Sequence, residues 1–226
     1  MRKITKGTEP LTLTNYRASI ATENRHDRTV YNDFPHKSKD GCKNNESGNL
    51  RKNLLEEQGY VCCYCMSRIA CKNSKIEHFK PQEEYRDRQI NYQNLFIACE
   101  GKDNIQGNEH CDTKKADKEL SAVNLLTHIE ESIAYKTMGK IYSDNPEIDD
   151  EINTILGLNN DVLIRNRRQA YSDLINNMKR RLGSEGWTRA SLQKEIDKYT
   201  DKNPKGKYAP YFSMLLFFLN KKMLSV

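Results

Sequence analysis

Residues 61–81 read VCCYCMSRIACKNSKIEHFKP and hold four of the seven cysteines in this 226-residue chain, together with one of its five histidines. A Cys-x-x-Cys pair, Cys62 and Cys65, supplies half of the ligands of a tetrahedral metal site. The other half must come from elsewhere in the chain. The neighbouring Glu77 and His78 either complete that site or form a separate one beside it.

Cysteine spacing favours a second pair of thiolates as the missing ligands. Cys99 ends the apolar run LFIAC, and Cys111 directly precedes the helix-forming segment DTKKADKEL. Four thiolates suit a structural Zn²⁺ ion, although four reduced, buried cysteines would also pack as small apolar side chains. Cys63 lies inside the first pair and could replace one of its members. Cys42 and Cys71 have no matching partner and are predicted to be free thiols.

The composition is that of a polar globular protein, with 36% hydrophobic and 30% charged residues. No apolar run reaches the roughly 18 residues that a membrane span requires. The first residues, MRKITKGTEPLTL, lack the apolar segment of a signal peptide. Clustered cysteines favour metal binding over disulfides in a reducing compartment. We therefore expect a cytoplasmic protein without a membrane partner.

Local patterns divide the chain into three regions, 1–60, 61–121 and 122–226. In the first region DRTVYNDF is compatible with a short strand, and LRKNLLEEQGY predicts a helix that Gly59 ends. The second region predicts a loop and a hairpin, with Ile69, Ile76 and LFIAC as strand residues, followed by a helix from near Asp112. The third region is predicted to be mainly helical.

The clearest helix of the third region is predicted in NNDVLIRNRRQAYSDLINNMKRRL. Asn160 or Asp161 can cap its start. Its apolar face is predicted to comprise Leu163, Tyr171, Leu174, Met178 and Leu182. The apolar run 214–219 near the end of the chain is either a partner-docking helix or part of the protein's own core.

Residues 163–226 are strongly basic, with 14 Lys and Arg against 5 Asp and Glu. Such a surface suits a polyanion such as nucleic acid. The candidate phosphate contacts are Arg167, Arg168, Arg180 and Arg181. A solvated helical surface or an acidic partner protein would explain the same charge.

The order of short motifs around the cysteines resembles a known family. IEHFKP and NLF lie between the two cysteine pairs, and DTKK follows the last cysteine. This order resembles the HNH endonucleases of the ββα-metal fold over residues 62–120. The opening MRKITKGTEP, the run LRKNLLEEQGYVCCYC and the loop before HCDTKK resemble more closely the HNH nucleases of retron and Septu anti-phage systems. The resemblance implies an α+β protein with a small zinc-stabilised ββα-metal HNH core embedded in a mostly helical chain.

Site residues follow partly from chemistry and partly from the resemblance. A histidine can take a proton from water near neutral pH, so His78 is the candidate general base. The resemblance implies that Glu77 and Asp112 bind a catalytic Mg²⁺ or Mn²⁺ ion, and oxygen ligands suit such ions. Thr113 replaces Asp112 if the register differs by one residue. Asn94 matches the asparagine that holds the loop of the base.

Three more residues are candidates for contacts near the same site. Lys115 matches a lysine that contacts phosphate in the family, and Lys114 is a further candidate contact with nucleic acid. His110, next to the last cysteine, is a candidate substrate contact or, alternatively, a spare zinc ligand. A solvated helix face would also explain the lysines of DTKKADKEL.

Together these observations predict a metal-dependent endonuclease that hydrolyses phosphodiester bonds of DNA or RNA. The resemblance implies an anti-phage effector that works with an ATPase partner and, in a retron, with a reverse transcriptase and its RNA/DNA product. The alternative is a non-catalytic, zinc-ribbon-like module that binds nucleic acid or a protein partner. It would need the cysteines but not Glu77, His78, Asn94 or Asp112. A thiol redox protein is disfavoured because redox Cys-x-x-Cys motifs begin a helix in a βαβ setting.

Overall fold

Helices make up most of the regular structure in the computed structural model, which describes residues 1–102, 107–182 and 187–226. They are α1 (Leu11–Ser19), α2 (Val30–Asp33), α3 (Lys39–Lys43), α4 (Leu50–Glu57), α5 (Cys111–Lys115), α6 (Pro146–Asp150), α7 (Asp161–Leu182), α8 (Arg189–Thr200) and α9 (Phe212–Met223). Strand β1 (Ser74–His78) pairs with β2 (Leu95–Cys99), and β3 (Ala134–Tyr135) pairs with β4 (Ile141–Tyr142), both antiparallel. The mixture of helices and small sheets agrees with the predicted α+β class.

The β1–β2 sheet lies at the centre of the region that carries the cysteines. Its register sets Ser74 opposite Cys99 at one end and His78 opposite Leu95 at the other. Every residue of β2 is buried, which confirms the strand predicted for LFIAC. Ile76 lies in β1 as predicted, whereas Ile69 lies outside the strands, beside an isolated bridge between residues 61 and 68.

Helix α4 is fixed against β2 by the buried side chain of Gln58. The main-chain N–H of Ile97 donates to Gln58 Oε1 over 2.8 Å, and Gln58 Nε2 donates to the Ile97 carbonyl over 2.8 Å. The amide thus replaces a neighbouring strand at the edge of β2, where unpaired backbone groups would otherwise cost free energy. Gln58 also ends α4 directly before Gly59, which confirms the predicted helix and its stop.

The first residues are tied to the same sheet by a buried ion pair. Lys6 Nζ lies 2.6 Å from Glu57 Oε1 and donates to the Leu95 carbonyl over 2.7 Å. The Tyr92 hydroxyl donates to the other oxygen of Glu57 over 2.7 Å. Removing one partner of such a buried pair costs about 3–5 kcal/mol, because the other charge is left uncompensated.

One local prediction is wrong. DRTVYNDF contains helix α2 instead of a strand, because the N–H of Tyr31 donates to the side chain of Gln89, a contact that local pattern cannot show. The region after residue 120 is mainly helical, as predicted, although residues 129–142 form a 3₁₀ turn and the β3–β4 hairpin. Tertiary contacts override propensity in short segments of this kind.

Helix α7 follows its predicted pattern at both its start and its apolar face. Asn160 Oδ1 accepts from the N–H of Leu163 over 2.8 Å, which is the expected N-terminal cap. Leu163, Leu174 and Met178 are buried and Tyr171 is half-buried, while the side chain of Leu182 lies outside the described residues.

The apolar run 214–219 belongs to the protein's own core. It lies in α9, which packs against α7 and α8. The buried residues of that run are Met214, Leu215 and Leu219. The described helices include none with the combined length and apolarity that a membrane crossing needs.

The prediction that Cys42 and Cys71 are free thiols is wrong. The two residues form a disulfide across 29 positions of sequence, with Cα atoms 5.8 Å apart. The bond joins α3 to the 3₁₀ turn that leads into β1. Pairing of two isolated cysteines depends on how the chain brings them together, so spacing alone could not reveal it.

Candidate metal centre and adjoining carboxylate–histidine site

Four cysteine sulfurs converge on one point beneath the β1–β2 sheet. The Sγ atoms of Cys62, Cys65, Cys99 and Cys111 all lie within 4.8 Å of one another. Cys65 Sγ and Cys99 Sγ are 3.8 Å apart. Four sulfurs at ~2.3 Å from a tetrahedral Zn²⁺ ion would be separated by about 3.8 Å. The predicted ligand set is therefore brought together, and its donor chemistry and spacing fit a zinc ion.

The first half of this centre is a tight turn. The N–H of Met66 donates to the carbonyl of Cys62 over 3.1 Å, and Met66 has a positive φ of 63°. The N–H of Cys63 donates to the Ile97 carbonyl over 3.1 Å, which sets the turn against β2. Cys63 does not belong to the group of four clustered sulfurs, which favours Cys62 and Cys65 over this alternative ligand.

The second half depends on a close approach at Gly101. The N–H of His110 donates to the Gly101 carbonyl over 2.9 Å, and Gly101 has a φ of +63°. A Cβ atom at this position would lie 1.8 Å from the carbonyl oxygen of His110. Only glycine fits such a contact, which brings Cys111 back beside Cys99.

The clustered cysteines do not share one acidity, since burial raises the pKa of Cys111 well above its usual range and the pKa of Cys99 is raised too. Burial also raises the pKa of Cys62, but hydrogen bonds from Cys111, Cys63 and the other neighbouring thiols outweigh it and lower that pKa well below its usual range. Burial raises the pKa of Cys63 well above its usual range. Cys62 is therefore the member of the cluster that most readily forms a thiolate, the form that binds metal, whereas Cys63 stays protonated.

His110 faces the cysteine cluster. Its Nδ1 lies 3.2 Å from the Sγ of Cys111 and 3.7 Å from the Sγ of Cys99. The residue is buried. Of the two predicted roles, this position favours a spare zinc ligand over a contact with substrate.

Glu77 and Asp112 meet where β1 faces α5. Asp112 lies close enough to Glu77 to raise the pKa of its carboxyl group. Glu77 Oε1 also accepts from the Tyr64 hydroxyl over 2.8 Å and lies 2.9 Å from Lys115 Nζ. Asp112 Oδ2 lies 2.7 Å from Lys75 Nζ. Two predicted metal ligands from separate elements are therefore adjacent.

Thr113, the alternative to Asp112, uses its hydroxyl elsewhere. The hydroxyl donates to the main-chain carbonyl of Glu100 and accepts from Lys75 Nζ. Of the two adjacent candidates, Asp112 is the one that contacts Glu77.

Lys115 is buried and forms an ion pair with Glu77 instead of facing solvent. Its side chain is 1% exposed, and its Nζ also donates to the main-chain carbonyl of His78 over 3.1 Å. Burial raises the pKa of Glu77 to about 8, and the hydrogen bond with Asp112 acts in the same direction, whereas the charge of Lys115 lowers it. The predicted contact of Lys115 with phosphate is not available in this arrangement, because its ammonium group is enclosed.

The imidazole of His78 is oriented by a main-chain carbonyl. Its Nε2 lies 2.9 Å from the carbonyl oxygen of Gln89. Since a carbonyl only accepts, Nε2 carries the hydrogen, and the neutral ring keeps a lone pair on Nδ1. Burial lowers the pKa of His78 to about 4, and the hydrogen bond that the ring donates to the Gln89 carbonyl acts in the opposite direction. The ring is therefore neutral and able to accept a proton at Nδ1.

Asn94 ties together the loop between β1 and β2. Its Oδ1 accepts from the N–H of Lys80 over 2.7 Å. Its Nδ2 donates to the carbonyls of Lys80 and Arg88, over 3.0 and 3.2 Å. The loop begins directly after His78, so these contacts agree with the expected role of holding the loop of the base.

Sequence reasoning missed Gln89 and Tyr31. Gln89 Oε1 accepts from the N–H of Tyr31, and its Nε2 donates to the carbonyls of Arg25 and Asp27 over 3.0 and 2.9 Å. The Tyr31 ring lies edge-on to His78, with ring centroids 4.5 Å apart. Gln89 thus holds both the imidazole and the N-terminal segment that covers it. Its key atom is a main-chain oxygen, which leaves no signal in a sequence.

The predicted nucleic-acid contacts have different environments. Arg168 and Arg180 are exposed, and Arg180 contacts the side chain of Asn177. Arg181 pairs with the buried Glu195. Lys114 is half-buried. The prediction that Arg167 contacts phosphate is wrong, because its side chain is buried and donates to main-chain carbonyls.

Neither a protein-family model nor a curated protein matches this chain. Its functional interpretation therefore depends on geometry. The structure brings a four-cysteine centre that could hold zinc next to a buried carboxylate–histidine site, and the two are joined by β1, β2 and the start of α5.

Proposed function

We propose that this protein is a metal-dependent endonuclease of the HNH type that hydrolyses phosphodiester bonds of nucleic acid. The observation that carries the proposal is the closeness of Asp112 both to Glu77, whose pKa it raises, and to the imidazole of His78, which Gln89 orients. The succession of two antiparallel strands and a helix around these residues supports it. The four cysteines at the opposite end of the strands would fix this unit.

Each side chain has a defined task in such a reaction. Nδ1 of His78 takes a proton from the attacking water, while Gln89 keeps the ring in place. Glu77 and Asp112 offer the hard oxygen ligands that Mg²⁺ and Mn²⁺ prefer. Bound there, the ion would neutralise charge that develops on the phosphate. Lys115 favours the ionised form of Glu77.

The two proposed metal ions would bind different kinds of ligand. Soft thiolates select zinc, whereas carboxylates select the harder ions. The thiolate cluster therefore does not compete for the ligands of the proposed catalytic ion. His78 stays free to act as a base instead of a ligand.

The burial of the site supports control by a partner. Glu77 is 3% and His78 is 9% exposed. A phosphodiester would reach them only after the segment around Tyr31 moves. We propose an ATPase as the partner that triggers this movement, within an anti-phage system that in a retron also contains a reverse transcriptase and its RNA/DNA product. Exposed Arg168 and Arg180 would then bind backbone phosphates.

A cleavage assay with a parallel metal-binding assay tests the proposal. The purified protein is incubated with plasmid DNA and with total RNA in Mg²⁺ or Mn²⁺, with and without the candidate partner. We expect cleavage that His78→Ala abolishes and that the exposed control His128→Ala retains. Mn²⁺ binding, followed by electron paramagnetic resonance, should be lost in a Glu77→Gln/Asp112→Asn variant. Equal cleavage by His78→Ala and the parent protein would refute the proposal.

The second candidate is the non-catalytic zinc module, which the enclosed state of His78 favours. It would bind nucleic acid or a partner protein without cleavage. In that case Glu77 and Lys115 are a structural ion pair, and Mn²⁺ binding would be unchanged in the Glu77→Gln/Asp112→Asn variant. The two assays therefore separate the candidates.

A further inference from the structure

Arg167 is a buried charge that pairs with no carboxylate of the described residues. It is 2% exposed, and its guanidinium donates to the carbonyls of Gly139 and Leu158, over 2.6 and 2.5 Å. A weaker contact at 3.4 Å reaches Asn159 Oδ1. These partners are dipoles without net charge. Taking an arginine out of water costs several kcal/mol unless an opposite charge compensates it.

The groups that could supply the opposite charge lie on the side of the cysteine centre. Arg167 and Cys65 line one narrow gap in the core, between α7 and the Cys-x-x-Cys turn, together with Tyr135 and Tyr211. The acidic groups that stabilise the charged form of Arg167 are these two tyrosines, Cys65 and Cys111. No carboxylate of the described residues belongs to this set.

The tyrosines do not provide that charge. Burial raises the pKa of Tyr135 to about 12 and also raises the pKa of Tyr211, so both hydroxyls stay neutral near pH 7. The cysteines differ, because metal ligation removes their protons. Four thiolates around one Zn²⁺ ion form a dianionic group. A buried dianion next to a buried monocation stabilises both.

We propose that Arg167 is the counter-ion of the four-cysteine metal centre and sets its affinity for zinc. The arginine is a positioning residue, since it acts on the thiolates through charge and does not ligate the metal. Helix α7 thereby couples the C-terminal region to the centre. The inference depends on the cysteine cluster alone and is independent of the proposed nuclease activity.

A pair of substitutions separates charge from hydrogen bonding. Arg167→Lys keeps the charge, whereas Arg167→Gln keeps a hydrogen-bond donor without charge. Arg165→Gln, on an exposed position of the same helix, is the matched control. Each zinc-loaded protein is titrated with a chromophoric chelator, so the measurement starts from the folded, metal-bound state even where the metal-free variant unfolds.

We expect Arg167→Gln to bind zinc roughly 10- to 100-fold more weakly than the parent protein, as when an outer contact of a metal site is lost. Arg167→Lys should retain clearly more affinity than Arg167→Gln, and Arg165→Gln should match the parent. With Co²⁺ in place of zinc, the thiolate-to-metal charge-transfer band should move to lower energy in Arg167→Gln, because the sulfur electrons lose a nearby positive charge. Equal zinc affinities for the Lys and Gln variants, or an Arg167→Gln variant equal to the control, would overturn the assignment.

Discussion

The clearest quantitative prediction concerns Asn94, because its amide makes three hydrogen bonds that the structure defines completely. It accepts from the N–H of Lys80 and donates to the carbonyls of Lys80 and Arg88. The residue is 5% exposed, so water does not readily replace these contacts. Each net hydrogen bond is worth about 1 kcal/mol, and Asn94→Ala removes all three. We expect a loss of about 3 kcal/mol in the free energy of unfolding.

Urea unfolding followed by far-ultraviolet circular dichroism measures this loss. Asn91→Ala is the matched control, since Asn91 is exposed and its side chain accepts from the N–H of Gln93 in the same turn. It should cost about 0.5–1 kcal/mol, as for a typical cap. A loss in Asn94→Ala that does not exceed the loss in Asn91→Ala would refute the reasoning.

Asn94→Asp tests the direction of the hydrogen bonds. The aspartate can still accept from the N–H of Lys80, but its second oxygen then faces two carbonyl oxygens without a hydrogen to donate. Near pH 7 we expect it to destabilise the protein at least as much as Asn94→Ala. An Asp variant as stable as the parent would show that the carbonyl contacts contribute nothing.

Three further predictions concern the cysteines and Gln89. Cys63→Ser should keep about one zinc per chain by metal analysis, whereas Cys65→Ser should lose it; equal zinc content would contradict the ligand assignment. Cys42→Ser should lower the unfolding free energy under oxidising conditions by about 3–4 kcal/mol, the cost of opening a loop of this length, and should leave reduced protein nearly unaffected. Gln89→Ala should speed proteolysis within residues 22–34, because three main-chain anchors are lost; an unchanged cleavage pattern would refute that role.

Structural elements that depend on short-range patterns could be predicted from the sequence. The LFIAC strand, the helices at Leu50 and Asp161, and the Asn160 cap depend on neighbours a few residues apart. The grouping of the four cysteines was also predictable, because the ligands of a metal site are restricted to a few residue types. Their spacing in the sequence predicted correctly that these four residues lie together.

Contacts between segments that are distant in the sequence could not be predicted from it. Arg167 lies among exposed arginines in the sequence, and its burial depends on the hairpin carbonyl of Gly139. The disulfide of Cys42 and the enclosure of Lys115 likewise depend on how remote segments pack. The anchor of His78 is a main-chain oxygen, which any residue at position 89 would supply. Residue type carries no information about such an atom.

The order of the cysteines along the chain has a consequence for how the site assembles. Cys65 and Cys99 are 34 residues apart, and Glu77, His78 and Asn94 all lie in the loop between them. Closing a free loop of this length costs about 3 kcal/mol of chain entropy, in addition to a constant. A metal ion bound by both cysteines would offset this loss of chain entropy before the strands pair. Removal of the metal by a chelator would then allow the ends of this loop to separate. The residues of the carboxylate–histidine site would move apart, although the chelator contacts none of them.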